Sequence, residues 1–182
     1  EAFGGSPGLQ RGLVEGLLRT PGRVGDPNNI TDSQLLAIMN DRLGSVAHQV
    51  EIEMLESAFM LDLSRIDSSI KQLKQCGFRF WLDDFGTGFS SLSLLSRINV
   101  DGIKLDRSIL ANASEPKGRT LYLQICKLCS SLGFSLTAEG VETRVEAEFV
   151  KEAGVAYVQG WLYAKAMPGP DAKAFWLEIN GE

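Results

Sequence analysis

From residue 50 onward, short apolar segments alternate with amphipathic ones, and this rhythm constrains the fold more than any other feature of the chain. Val50–Met54 is strand-like and is followed by an amphipathic stretch at 62–75. Phe78–Leu82 is strand-like, and Ser91–Ile98 has helical spacing. Gly102–Leu105 precedes a long helical run near 118–132, Ser135–Ala138 precedes a helical 143–153, and Ala156–Tyr163 precedes a helical 170–178. Strand and helix thus alternate five times with turn residues at the joints, which predicts βαβ units and a parallel sheet. Residues 1–49 have another character. They are Gly/Pro-rich and irregular, with a short apolar segment at Leu13–Arg19 and a helical pattern at 32–43.

A parallel strand buried on both faces should be apolar along its length. Here the strands end in, or closely precede, charged and amide groups: Glu53 and Glu56, Asp83 and Asp84, Lys104 and Asp106, Glu139 and Glu142, then Gln159. In a β/α barrel such groups converge on the carboxyl mouth, and in an open doubly wound sheet they gather at the carboxyl edge. Carboxylates crowded into a small volume repel one another and need a compensating cation. Their oxygens suit a hard ion such as Mg²⁺, Mn²⁺ or Ca²⁺. The one histidine, His48, and the cysteines away from strand ends argue against a zinc centre. An oxygen-rich, lysine-containing site of this kind suits phosphodiester hydrolysis with two metals.

Composition narrows the class further. A formal net charge of -5 with no basic stripe gives binding to polymeric nucleic acid little electrostatic support. There is no membrane segment and no signal-peptide pattern. Three cysteines, an odd count, argue against a disulfide framework and point to a cytoplasmic location. The first residue is Glu rather than Met, which reads as part of a longer, multidomain protein.

Each candidate also has a plainer reading. Asp83-Asp84 after an apolar strand could cap a helix, Lys104 could be a surface lysine, and Glu139 before Gly140 could be a turn acid. Cys126-x-x-Cys129 reads as ordinary helix residues, and His48 as structural or solvent-facing.

Leu82–Leu92 reads Leu-Asp-Asp-Phe-Gly-Thr-Gly-Phe-Ser-Ser-Leu and resembles the signature loop of the EAL-domain cyclic-di-GMP phosphodiesterases. Val-Asp-Gly-Ile-Lys-Leu-Asp-Arg-Ser at 100–108 is similar to that family's lysine strand. Thr-Ala-Glu-Gly-Val-Glu-Thr at 137–143, Val-Gln-Gly-Trp at 158–161 and Glu-Met-Leu-Glu-Ser at 53–57 match further motifs in order. Val-Glu-Gly-Leu-Leu-Arg at 14–19 resembles the Glu-x-Leu-x-Arg motif that names the family, and Asn29 its strand-end asparagine. The Glu15 and Asn29 motifs stand closer together than in the family, where a loop, two helices and a strand separate them.

The resemblance implies one domain over 1–182, an α/β fold of TIM-like (β/α) barrel type shortened in its amino-terminal third, with 1–49 irregular and 50–182 in clear β/α repeats. It implies hydrolysis of cyclic-di-GMP to linear pGpG in bacterial signalling. The alternative is an inactive cyclic-di-GMP receptor or interaction module on the same scaffold. The implied metal ligands are Glu15, Asn29, Glu53, Asp83, Asp84 and Gln159, holding two Mg²⁺ or Mn²⁺ ions, with Ca²⁺ inhibitory. Catalytic roles fall on Glu139, Lys104 and Asp84, with the lysine at a lowered or contested pKa. Glu56, Asp106 and Glu142 would support the ligands and the loop, with Arg19 on a substrate phosphate. Phe85 and Trp161 could line guanine pockets or pack in the core. Relatives of this kind often form homodimers.

Overall fold

The computed structural model describes residues 41, 43–56, 63–87 and 92–180. Glu15, Arg19 and Asn29, with the segment at Leu13–Arg19 and most of the helix expected over 32–43, lie outside the described residues.

A 3-10 helix at Gly44–Gln49 leads into β1 (Glu51–Leu55), and the units α1 (Leu63–Gln75), β2 (Arg79–Phe85) and α2 (Leu92–Leu95) follow. Next come β3 (Gly102–Leu105), α3 (Arg107–Asn112), α4 (Pro116–Ser131), β4 (Ser135–Ala138), α5 (Arg144–Glu152), β5 (Tyr157–Val158) and α6 (Gly169–Asn180). The strands form one parallel sheet in the order β1-β2-β3-β4-β5. This order matters for the choice left open by sequence. A doubly wound sheet reverses its strand order at a switch point, whereas here each strand is laid beside the last. With right-handed crossovers, that keeps every connecting helix on one side and curls the sheet as in a barrel wall.

Alternation along the strands separates two faces. Phe80, Leu82, Ile103, Leu105, Leu136 and Ala138 belong to the hydrophobic core, with Ile70 of α1, Tyr122, Cys126 and Cys129 of α4, and Phe149 and Val150 of α5, and the half-buried Ile52, Met54 and Val158 pack against it. Tyr122, Cys126 and Cys129 are spaced i, i+4, i+7, so one stripe of α4 meets the sheet. Pro116 opens that helix at a position where its missing N–H costs nothing. The opposite face carries Glu53, Trp81, Lys104 and Thr137, and it is the inside of the curl.

The amino edge of the sheet is fastened by Asp101. Its Oδ2 accepts the Phe80 N–H at 2.8 Å and its Oδ1 pairs with Lys74 Nζ at 2.6 Å. Two expected elements differ in extent. Ala156–Tyr163 was expected as one strand, but only Tyr157–Val158 pairs and 161–163 form a turn. The helix expected over Ser91–Ile98 is shorter among the described residues, at Leu92–Leu95. The short α3 was not anticipated, because it is too brief to show a period. Among the described residues, no helix is long and apolar enough to cross a membrane.

Candidate active site

The site stands at the carboxyl ends of the strands, on the inner face. Lys104, in the middle of β3, is only 2% exposed. Its Nζ lies 2.9 Å from Glu53 Oε1 of β1, 2.9 Å from Asp83 Oδ1 of β2 and 2.6 Å from Glu139 Oε1, just past β4. Three non-adjacent stretches of sequence thus meet on one ammonium: the parallel strands point Glu53 and Lys104 to the same face, and the long lysine side chain reaches acids that stand at different levels of the sheet. A buried lysine with its charge fully paired is not a snorkelling surface residue.

Asp83 and Asp84 are sequence neighbours, and in a regular strand they would point to opposite faces. Here the β2–β3 register shifts between Leu82 and Phe85, and Asp84 takes φ 56°. A left-handed backbone at a non-glycine residue is uncommon and costs of order 1–3 kcal/mol. A bulge of this kind re-aims a side chain. Its result is that carboxylate oxygens of Asp83, Asp84 and Glu139 all lie within 4.8 Å of one another. The Asp84 carbonyl accepts from both the backbone N–H and the hydroxyl of Thr87, at 3.3 and 3.0 Å, which holds the turn. Gly86 follows at φ 100°, and a side chain there would strike Ile109 of α3.

The electrostatics follow from this crowding. Burial pulls the Lys104 pKa down, but hydrogen bonds and charge from Glu139, Asp83 and Glu53 outweigh it, so the net shift is upward. Of the lowered or contested pKa expected, the lowered one does not hold: burial and pairing oppose each other, and pairing prevails. Glu139 is pushed above the ordinary carboxylate range, chiefly by burial, with Asp83 and Asp84 adding repulsion and Lys104 opposing it. Three carboxylates on one ammonium, with Asp84 beside two of them, leave a formal excess of negative charge. Oxygens of Asp83, Asp84 and Glu139 spaced within 4.8 Å suit a hard divalent ion, whose bonds of about 2.0–2.6 Å put its ligand atoms about 3–5 Å apart. The donor set therefore fits such an ion.

Below the cluster lies an aromatic floor. Trp81 is 4% exposed, covers Gly102 so closely that any side chain there would meet its ring, and touches Tyr157 edge-on at 5.6 Å between centroids. Thr137, buried and level with Lys104 on β4, also faces inward. Sequence reasoning passed over it, although its spacing two residues before Glu139 on one strand face is the signal that could have found it.

The remaining candidates divide. Gln159 sits at the carboxyl end of β5, its N–H donating to Ala138 O at 2.8 Å and its O accepting from Val141 N–H at 3.2 Å, so it is tied to the Glu139 segment. A side chain at Gly160 would run into the Val141 backbone, which explains the small residue after Gln159. Asp106 caps α3, its Oδ1 accepting the Ser108 N–H at 2.8 Å. Glu142 is exposed, and Glu56 follows directly on β1, half-buried. Phe85 is 2% exposed and packs in the helix-side core, the core alternative of the two weighed for it. Trp161 is 63% exposed and is not a core residue. His48 is exposed, while Cys126 and Cys129 are buried helix residues without a disulfide.

The chain is similar to known proteins in sequence and in fold. The probable cyclic di-GMP phosphodiesterase PdeB of Escherichia coli is 38% identical over 76% of this chain, and the chain spans 26% of PdeB's length. The crystal structure of the EAL domain of Mycobacterium smegmatis DcpA superposes with a TM-score of 0.73 at 28% identity, covering 94% of this chain and 80% of that one. Klebsiella pneumoniae BlrP1, solved in calcium/cyclic-di-GMP and manganese/cyclic-di-GMP complexes, gives TM-scores of 0.64 and 0.61 at 28% and 29% identity, over 82% of this chain and 36% of that one. These neighbours share the TIM-like β/α barrel, and the five described strands are part of one. The family profile described as EAL domain matches residues 24–166, and the chain belongs to the EAL-domain family.

Proposed function

We propose that this domain hydrolyses cyclic-di-GMP to linear pGpG with two Mg²⁺ or Mn²⁺ ions. The observation that carries the reading is the convergence of Asp83, Asp84 and Glu139 within 4.8 Å beside the buried Lys104. PdeB's name and the cyclic-di-GMP complexes of BlrP1 support the substrate. Glu53, Asp83, Asp84 and Gln159 would hold the metal, together with Glu15 and Asn29. A bound divalent ion supplies Lewis acidity and lowers the pKa of a coordinated water.

The residues supply the rest. Glu139, raised in pKa by burial, is suited to take the proton of the attacking water, as a base poised nearer neutrality does. Water adds to phosphorus as the bond to the 3′-oxygen breaks, leaving the 5′-phosphate of pGpG, and the leaving oxygen takes up a proton. Lys104 orients the water or offsets phosphate charge. Arg19 contacts a phosphate, and Glu56 steadies the loop after Asp83. The domain reading over 1–182, a longer cytoplasmic parent and homodimerisation belong to the same proposal.

The test is cyclic-di-GMP turnover by the chain with Mn²⁺ or Mg²⁺, following pGpG by chromatography. Metal-dependent pGpG is expected; bound but uncleaved nucleotide would favour the receptor alternative. Replacing Mn²⁺ with Ca²⁺ is expected to suppress turnover, because its larger and looser coordination positions water poorly. Full activity in Ca²⁺ alone would contradict that.

A further inference from the structure

An ammonium has three N–H donors. Those of Lys104 are matched by three acceptors, Glu53, Asp83 and Glu139, each at 2.6–2.9 Å, in a pocket where the side chain is 2% exposed. Two of those acceptors, Asp83 and Glu139, also belong to the group whose oxygens suit a divalent ion. The lysine in this arrangement has no donor left for a water or a phosphate. We propose that Lys104 is the resident counter-ion of the cluster: it holds the three acids together without metal, and a divalent ion binds against it, freeing one of its donors for the substrate side. This deepens the phosphodiesterase reading and rests on it.

The physical basis is competition for the same charge. Carboxylates that face each other need a cation nearby, and either the ammonium or a divalent ion can serve. An ammonium fixed beside the ion repels it and holds oxygens it needs. Removing the lysine charge should therefore weaken the metal-free fold yet tighten metal binding. A lysine that merely fills space would produce the first effect without the second.

The experiment compares the wild-type chain with Lys104→Met at pH 8. Mn²⁺ affinity is measured by calorimetry, and Tm is measured in chelator and in saturating Mn²⁺. We expect the variant to melt on the order of 5 °C lower in chelator, to recover most of that loss in Mn²⁺, and to bind Mn²⁺ about tenfold more tightly. If Lys104→Met is unfolded in chelator, folding on addition of Mn²⁺ supports the proposal, and failure to fold in Mn²⁺ overturns it. Wild type that binds Mn²⁺ with a variant that binds it no more tightly overturns the counter-ion role alone. Wild type that takes up no Mn²⁺ while the variant does would sink the phosphodiesterase reading and, with it, the binding of an ion against Lys104, leaving only the lysine's hold on the three acids. Binding by neither would sink both.

Discussion

At the scale of residues, what distinguishes the candidate centre is how little each side chain could be replaced. Asp83 is 3% exposed and accepts from Lys104 at 2.9 Å. Asp83→Asn keeps an acceptor for the lysine but loses a negative charge toward a metal. Its expected phenotype is a fall in turnover of at least about two orders of magnitude, with an unchanged circular dichroism spectrum; near-wild-type turnover would remove Asp83 from the ligand set. The cysteines give an independent check on the core. Burial and the neighbouring Cys129 push the Cys126 thiol up to about 12, and burial raises Cys129 to about 11, while Cys76 is exposed. The thiolate is the reactive form. At pH 8 a thiol reagent should modify Cys76 alone, and Cys126 and Cys129 only after denaturant is added. Fast labelling of Cys126 or Cys129 in the native chain would contradict the packing of α4.

Among the elements, α5 is the most completely specified by local chemistry. Thr143 accepts the Glu146 N–H at 3.2 Å, while the Glu146 carboxylate accepts from the N–H groups of Glu142 and Thr143 at 2.9 Å each. This capping box starts the helix beside the Glu139 segment. Thr143→Ala should cost about 1 kcal/mol in urea unfolding. Slight burial pushes Glu146 up, but those hydrogen bonds outweigh it and hold its carboxyl below the ordinary range. A depressed folded pKa means stability that is complete above the unfolded value and is lost as pH falls through the lower folded one. The stability gap between wild type and Glu146→Gln should therefore shrink on acidification. A gap that stays constant from neutral pH into strong acid would show that the carboxylate does not cap the helix.

For the molecule as a whole, the sheet sets a gradient of stability. β3 is paired on both sides and wholly buried, whereas β5 contributes two half-buried residues. Amide exchange should be slowest in Ile103–Leu105 and fastest, among the strands, in Tyr157–Val158, since local opening is easiest where packing and pairing are least. Comparable protection in both would mean that β5 is held by more than its pairing with β4. Lys104 sits in that wholly buried strand, so its amide should be among the slowest to exchange.

Much of this was legible in the chain itself. The alternating rhythm from residue 50, the acids at the strand ends and the ordered motifs from Glu53 to Gln159 identified βαβ units, a carboxyl-end site and the family, because periodicity and local motifs are properties of neighbouring residues. What neighbours cannot encode came from the tertiary structure. Barrel-type winding rather than double winding is a matter of strand order, which depends on where each strand docks. The sharing of one ammonium by Glu53, Asp83 and Glu139 depends on register between strands far apart in sequence. The turning of Asp84 toward Asp83 depends on a bulge that the dipeptide Asp-Asp does not announce. The direction of the Lys104 pKa was undecided by sequence for the same reason: burial alone lowers a lysine, and only the packed sheet decides how many carboxylates surround it.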